Sequence, residues 1–195
     1  AFLPPGLRPP ALGPAFARGR ALVREAVLRE PLEAPPGSRA LYGDPAFLAL
    51  GWIVEAAGGA PLDRLFADRV ARPIGLADSL YVDAARETGP RRDRSFAATE
   101  RCPHRHEVNR GTVNDDNAWA LGGVAGHAGL FSTARDVAAL GQAWLEALAG
   151  RGVLLDPVVA RAFARREAPG GTRALGWDAP SSGTSSIGSR LGRGP

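Results

Sequence analysis

The sequence predicts a mainly helical fold, and three observations predict it. Five stretches, at 15–29, 45–57, 62–71, 134–149 and 157–166, carry apolar residues at helical spacing between proline, glycine or capping residues. A glycine-rich loop precedes the fourth: Gly122, Gly123, Gly126 and Gly129 fall within eight residues around His127. The backbone there can take turns or close approaches that a side chain forbids. A length of 195 residues with 45% hydrophobic composition is ample for the core of one domain.

The first fourteen residues hold five prolines and two glycines, too dense for a helix, and read as an irregular connection. In 15–29, Leu22, Val23, Ala26 and Val27 give a modest helical face, which the Pro35-Pro36-Gly37 turn follows. Asp44 before Pro45 reads as an N-cap and first helical residue, and Gly58-Gly59 closes that helix. Its body is apolar nearly all round, which predicts burial at a domain centre. Pro61 opens the next helix, with Leu62, Leu65, Phe66 and Val70 inward and Pro73 and Gly75 as its stop, and the pair reads as an αα-hairpin.

Residues 83–112 are polar, without an apolar period, and read as a surface excursion. The glycine loop ends at Thr133, an N-cap with Asp136 three residues on, near the capping-box pattern. Val137, Leu140, Trp144, Leu145 and Leu148 then mark the inward face of a helix that stops near Gly150. Asp156-Pro157 starts a last short helix with Val159 and Phe163 inward, followed beyond Pro169 by a Ser/Gly-rich tail.

All 24 basic residues are arginine, and the net charge is +4 with a pI near 10.4. The arginines alternate with acids instead of forming one stripe, so no nucleic-acid partner is expected. The sequence has no apolar run of 18 residues and no signal peptide at its start, so no transmembrane segment is expected. It contains no Met, which reads as a processed chain or a fragment. The single Cys102 excludes an internal disulfide. Cys102, His104 and His106 lack the spacing of a structural zinc site, so no metal and no cofactor are expected.

Two segments carry a resemblance. Gly122 to Ala138, Gly-Gly-Val-Ala-Gly-His-Ala-Gly-Leu-Phe-Ser-Thr-Ala-Arg-Asp-Val-Ala, preceded by Asp-Asp-Asn-Ala-Trp-Ala-Leu, resembles a stretch of the serine β-lactamase-like superfamily. That superfamily holds class C β-lactamases, DD-peptidases and related esterases. Pro36-Gly37, Tyr42-Gly43-Asp44, Leu50-Gly51-Trp52-Ile53-Val54-Glu55, Phe66 and Pro73-Ile74-Gly75-Leu76 fit the same frame, so the resemblance covers most of 30–150.

The resemblance implies an α+β fold, here mostly its helical domain with an incomplete antiparallel sheet. It also implies that residues 1–195 are part of one hydrolase domain. The superfamily's Ser-x-x-Lys nucleophile motif would lie upstream and its Lys- or His-Thr-Gly strand downstream. The chain has no lysine, so no Ser-x-x-Lys occurs in it. The implied activity is acyl transfer through an acyl-enzyme, on a small-molecule or peptide substrate: a β-lactam, a D-alanyl peptide or a small ester.

Tyr42, opening the family's Tyr-x-Asn motif, is implied as the group that helps activate the serine; read from its neighbours alone, it packs before a helix. Asp44 stands where Asn is usual, and an ionised Asp only accepts hydrogen bonds, so it either contacts substrate or caps the helix. His127 lines the substrate cleft or hydrogen-bonds a catalytic neighbour, or else ties its loop to backbone carbonyls. Gly126 and Gly129 complete the implied substrate-binding loop.

Overall fold

The computed structural model describes residues 13–39, 41–84, 95–103, 105, 107–152, 154–165 and 174–177. Their contacts fall into two compact units, 1–30 with 43–140 and 31–42 with 141–195. The described residues form six helices and four short strands in two antiparallel pairs. This is the α+β class, with helix dominant.

In the first unit, α1 (Gly13–Arg29) starts two residues earlier than expected, within the proline-rich segment. Phe16 on it is fully buried, edge-on to Trp119 with ring centroids 5.9 Å apart. Helix α2 (Asp44–Gly58) has its N-cap at Gly43 with no side-chain cap, which corrects the expected capping role of Asp44; Pro45 occupies the first turn. Gly59 closes it in the left-handed conformation, at φ 68°, its N–H donating to the Glu55 carbonyl. Only Leu48 and Gly51 of α2 are buried; Phe47, Leu50, Ile53 and Val54 are exposed, Ile53 by 62%. The all-round apolar pattern therefore marks one buried edge and one broad uncovered face, not a central helix.

Helix α3 (Leu62–Ile74) begins where the Glu55 carboxylate accepts the Leu62 N–H at 2.9 Å. The axes of α2 and α3 bend by 73°, a corner rather than an antiparallel hairpin. Leu65 presses against Gly58, where a Cβ would lie 2.6 Å from its methyls. Residues Ala67–Ala71 of α3 widen into a π turn. Pro73 is carried inside the last turn, because the widening falls on Arg69, whose carbonyl its ring would otherwise meet. No single described helix is long and apolar enough to cross a membrane.

Strand β1 (Leu80–Tyr81) pairs antiparallel with β4 (Leu130–Phe131), Leu80 opposite Phe131. Strands β2 (Ala98–Cys102) and β3 (Glu107–Arg110) form a hairpin inside the expected surface excursion. Of their residues only Cys102 and Asn109 are buried, so no apolar alternation announced them. His104 and His106 lie outside the described residues; the Cys102 thiol points at the Asp116 carboxylate, 3.9 Å away. Helix α4 (Asp116–Ala120) follows, and the core gathers around it: Leu48, Val113, Ala118, Leu121 and Ala125, with Val23, Val27, Trp52 and Trp119 against them.

Helix α5 (Ala134–Leu148) begins in the first unit and ends in the second. Thr133 caps it, its hydroxyl accepting the Asp136 N–H at 3.3 Å. Asp136 does not return the bond; it is buried and accepts from the Asp78 N–H and the Ser79 hydroxyl, each at 2.8 Å. The buried residues of α5 are Asp136, Ala143 and Ala147, whereas Val137 and Leu145 are exposed. The inward face is thus turned one residue from the expected one, because small side chains take the close contacts.

In the second unit, Trp144 packs on Phe163 and Trp177, at 5.7 and 5.2 Å between centroids. Helix α6 (Pro157–Ala164) is capped by Asp156, which accepts the Val158 N–H at 2.7 Å. It ends two residues before the expected Arg166, which lies outside the described residues.

Candidate active site

The glycine loop is shaped by what its glycines exclude. A Cβ at Gly126 would overlap the Phe47 carbonyl oxygen of α2, and Gly51 faces Gly126 so closely that its own Cβ would lie 3.2 Å from the Gly126 Cα. Two backbones meet there with no side chain between them. Gly129 adopts φ +112°, and a Cβ on it would overlap the Gly123 carbonyl. The Tyr81 ring leans on this loop, and its hydroxyl reaches the Ala125 carbonyl at 3.5 Å.

His127 is carried into the interior by this backbone; its side chain is only 4% exposed. Its Nε2 lies 3.0 Å from Asp115 Oδ1, so the partner found is a carboxylate and not the backbone carbonyl of the alternative reading. Its Nδ1 is buried with no hydrogen-bond partner among the described residues. Asp115 is also the N-cap of α4, accepting the Ala118 N–H at 2.7 Å. Burial pushes the Asp115 carboxyl up, but the Ala118 N–H, the His127 hydrogen bond and charge, and the Asn117 N–H outweigh it and hold it below the ordinary carboxylate range.

Asp44, at the start of α2, accepts the Asn117 side-chain N–H at 3.3 Å. It therefore arrives beside the same cluster: Asp44, Asp115 and His127 each bring one ligand atom within 4.8 Å of the others. A single cation can bridge that spacing, and Asn117, Ala118 and His127 already donate to the same carboxylates. Three of the five residues singled out from the sequence, Asp44, Gly126 and His127, thus border one locality, with Gly129 two residues along the loop. A cavity lined by Arg20, Trp52, Glu55 and Asp83 touches Gly126 alone among them.

Tyr42 belongs to the second unit and is 81% exposed. The chain's other tyrosine, Tyr81, is half-buried, and burial, then the Asp63 charge, push its hydroxyl above the ordinary phenol value. A tyrosine so shifted is a poor proton acceptor.

Sequence reasoning missed Asp115, Asn117 and Arg105. Asp115 and Asn117 sit in the Asp-Asp-Asn-Ala-Trp stretch, where an Asp three residues before Ala118 is itself a cap signal. Arg105 lies between His104 and His106 in a charged segment, and nothing local marks it.

The family model for Beta-lactamase matches residues 2–186. Two relatives, from Salmonella agona and Salmonella schwarzengrund, provisionally described as D-alanyl-D-alanine carboxypeptidases, are 33% and 34% identical over 178 residues. Those matches cover 85% of this chain and 40% of each relative, so the chain spans well under half their length. Among solved structures, a provisionally named beta-lactamase from Bacteroides dorei matches with a TM-score of 0.50 at 19% identity, covering 86% of this chain and 40% of that one. Simvastatin synthase from Aspergillus terreus matches with a TM-score of 0.50 at 22% identity, covering 77% and 36%. At such identities these two structures speak to fold alone.

Proposed function

Because the chain belongs to the Beta-lactamase family, we propose that it supplies the tyrosine motif and glycine loop of a serine hydrolase that works through an acyl-enzyme. The observation that supports this most is the meeting of Asp44 with Asp115 and His127. Asp44 ends the Tyr42-Gly43-Asp44 motif and His127 centres the glycine loop, so the two segments that carry the family likeness converge through side chains 83 positions apart.

In this reading a serine from a Ser-x-x-Lys motif outside these residues attacks an ester or amide carbonyl. Its proton passes to a neighbouring base as the bond forms, and water or another acceptor later releases the acyl group. Tyr42 is that base or shares its role; it is 81% exposed. Asp44, His127, Gly126 and Gly129 hold the substrate. Asp115 orients His127 by occupying Nε2, as a carboxylate does for a catalytic imidazole. Among the substrates the family allows, the description shared by the two Salmonella relatives favours a D-alanyl peptide over a β-lactam or a small ester.

The test is an acylation burst. The 195-residue chain alone gives none with a nitrophenyl ester or chromogenic β-lactam, since loss of a serine nucleophile costs on the order of a million-fold. The full-length protein gives a burst, releases D-alanine from a D-alanyl-D-alanine peptide, and loses about a hundredfold or more in rate with Tyr42→Phe. A stoichiometric burst from the chain alone would assign the nucleophile to one of its own serines and overturn this reading.

A further inference from the structure

We propose that Arg105 is the positioning residue of this site, its guanidinium locking the turn at 113–116 so that Asp115 stands where it can both cap α4 and receive His127. Arg105 is 3% exposed along its side chain, unusual burial for a cation. Its Nη1 donates to the Val113 carbonyl at 2.6 Å and to Asn109 Oδ1 at 3.2 Å. Its Nη2 donates to the Asn114 carbonyl at 2.9 Å and to Asp116 Oδ1 at 2.7 Å. The guanidinium lies over the Trp119 ring, Cζ 4.9 Å from its centroid, and Trp119 in turn meets the fully buried Phe16.

The pattern of acceptors is what points to positioning. Two consecutive carbonyls and the next carboxylate but one are held, so Asp115 is gripped on both sides in sequence while its own carboxylate stays available for Ala118 and His127. The hairpin reinforces the grip: Asn114 Oδ1 accepts from the Thr99 hydroxyl at 2.6 Å and from Asn109 Nδ2 at 3.1 Å. A planar fork with five donors can serve four acceptors at once; a lysine ammonium on the same stem has three donors converging on one point. Arg105 thus acts on the candidate site through backbone, touching neither His127 nor Asp44. The inference rests on the reading above only in taking His127 as a site residue.

The experiment uses the full 195-residue chain and needs no turnover, so its failure leaves the acyl-transfer reading untouched, and failure of that reading leaves this one standing. Amide hydrogen exchange and a carboxyl carbon NMR titration are recorded for the parent sequence and Arg105→Lys. Exchange at the Ala118 amide, which Asp115 caps, should quicken by about tenfold or more, while the amides of α2 keep their rates. The Asp115 carboxyl should titrate higher, back toward the ordinary carboxylate range. Where Arg105→Lys does not fold, Asp116→Asn decides: that side chain is exposed, and removing its charge should quicken Ala118 exchange by about threefold with α2 unchanged. Unchanged Ala118 exchange, or an acceleration shared equally by α2, would make Arg105 an ordinary stabilising residue and overturn the proposal.

Discussion

The glycine loop and the Tyr42–Asp44 turn carry the two halves of the family likeness, and they are held in opposite ways. The loop is fixed by exclusion: its backbone lies against the Phe47 and Gly51 backbone of α2, and His127 is buried against Asp115. The turn has more room around its backbone. Tyr42 is 81% exposed, a Cβ on Gly43 would meet nothing closer than the Pro45 ring at 3.6 Å, and Asp44 accepts one amide hydrogen bond of 3.3 Å. The difference separates a backbone fixed by close contact from one with room to change.

The largest effect that tests this division is at Gly126. Gly126→Ala forces a methyl into the Phe47 carbonyl, and since both sides of the clash are backbone, little can move aside. A loss of about 3 kcal/mol in urea unfolding is expected, at the upper end of overpacking penalties. Gly43→Ala, where φ is 178° and space is open, should change stability by no more than about 0.5 kcal/mol. Equal losses at the two positions would erase the comparison.

Next in size is Asp115, the joint between the loop and α4. Asp115→Ala removes a helix cap and the partner of His127 together, for a loss of about 1–2 kcal/mol. The same residue predicts a pH dependence. Its folded carboxyl titrates below the ordinary range, so its stabilisation is fully present above about pH 4 and is lost as pH falls through the lower folded value. Urea midpoints followed from pH 6 to pH 2 should fall less in Asp115→Asn than in the parent sequence. A parallel fall in both would show that other groups carry the acid sensitivity.

How much of this was legible in the sequence differs between the same two regions. The glycine loop announced itself, because four glycines around one histidine have few bland explanations, and the Thr133 cap that ends it is a local signal. The helices at 45–57 and 134–149 were legible in existence but not in orientation. On α2 apolar residues run all round, so periodicity could not choose the buried edge of Leu48 and Gly51; on α5 large side chains outvoted Ala143 and Ala147, which make the close contacts. The β2–β3 hairpin and Arg105 were illegible because their partners are polar and distant: Arg105 finds Val113, Asn114 and Asp116 eight to eleven residues on. Tyr42 was legible only through the resemblance, since an exposed tyrosine leaves no mark in hydrophobic pattern.

The smallest expected effect sharpens the comparison most, and it concerns Asp44. Asn is usual at this position in the family, and Asp44→Asn restores it while keeping shape. Two opposing terms follow. The ionised Asp44 lies in the first turn of α2, where a negative charge gains about 0.3–1 kcal/mol from the helix dipole. It also lies within 4.8 Å of the Asp115 carboxylate, and two like charges at that separation repel by about 1 kcal/mol even in water. The terms nearly cancel, and relief of repulsion wins slightly because the cluster is partly shielded from solvent. Asp44→Asn should therefore be neutral to stabilising by about 0.5 kcal/mol near pH 7, read from urea unfolding. A loss above about 1 kcal/mol at pH 7 would mean that the Asp44 charge is itself a structural tie, and the Tyr42–Asp44 turn would then join the glycine loop as a fixed segment.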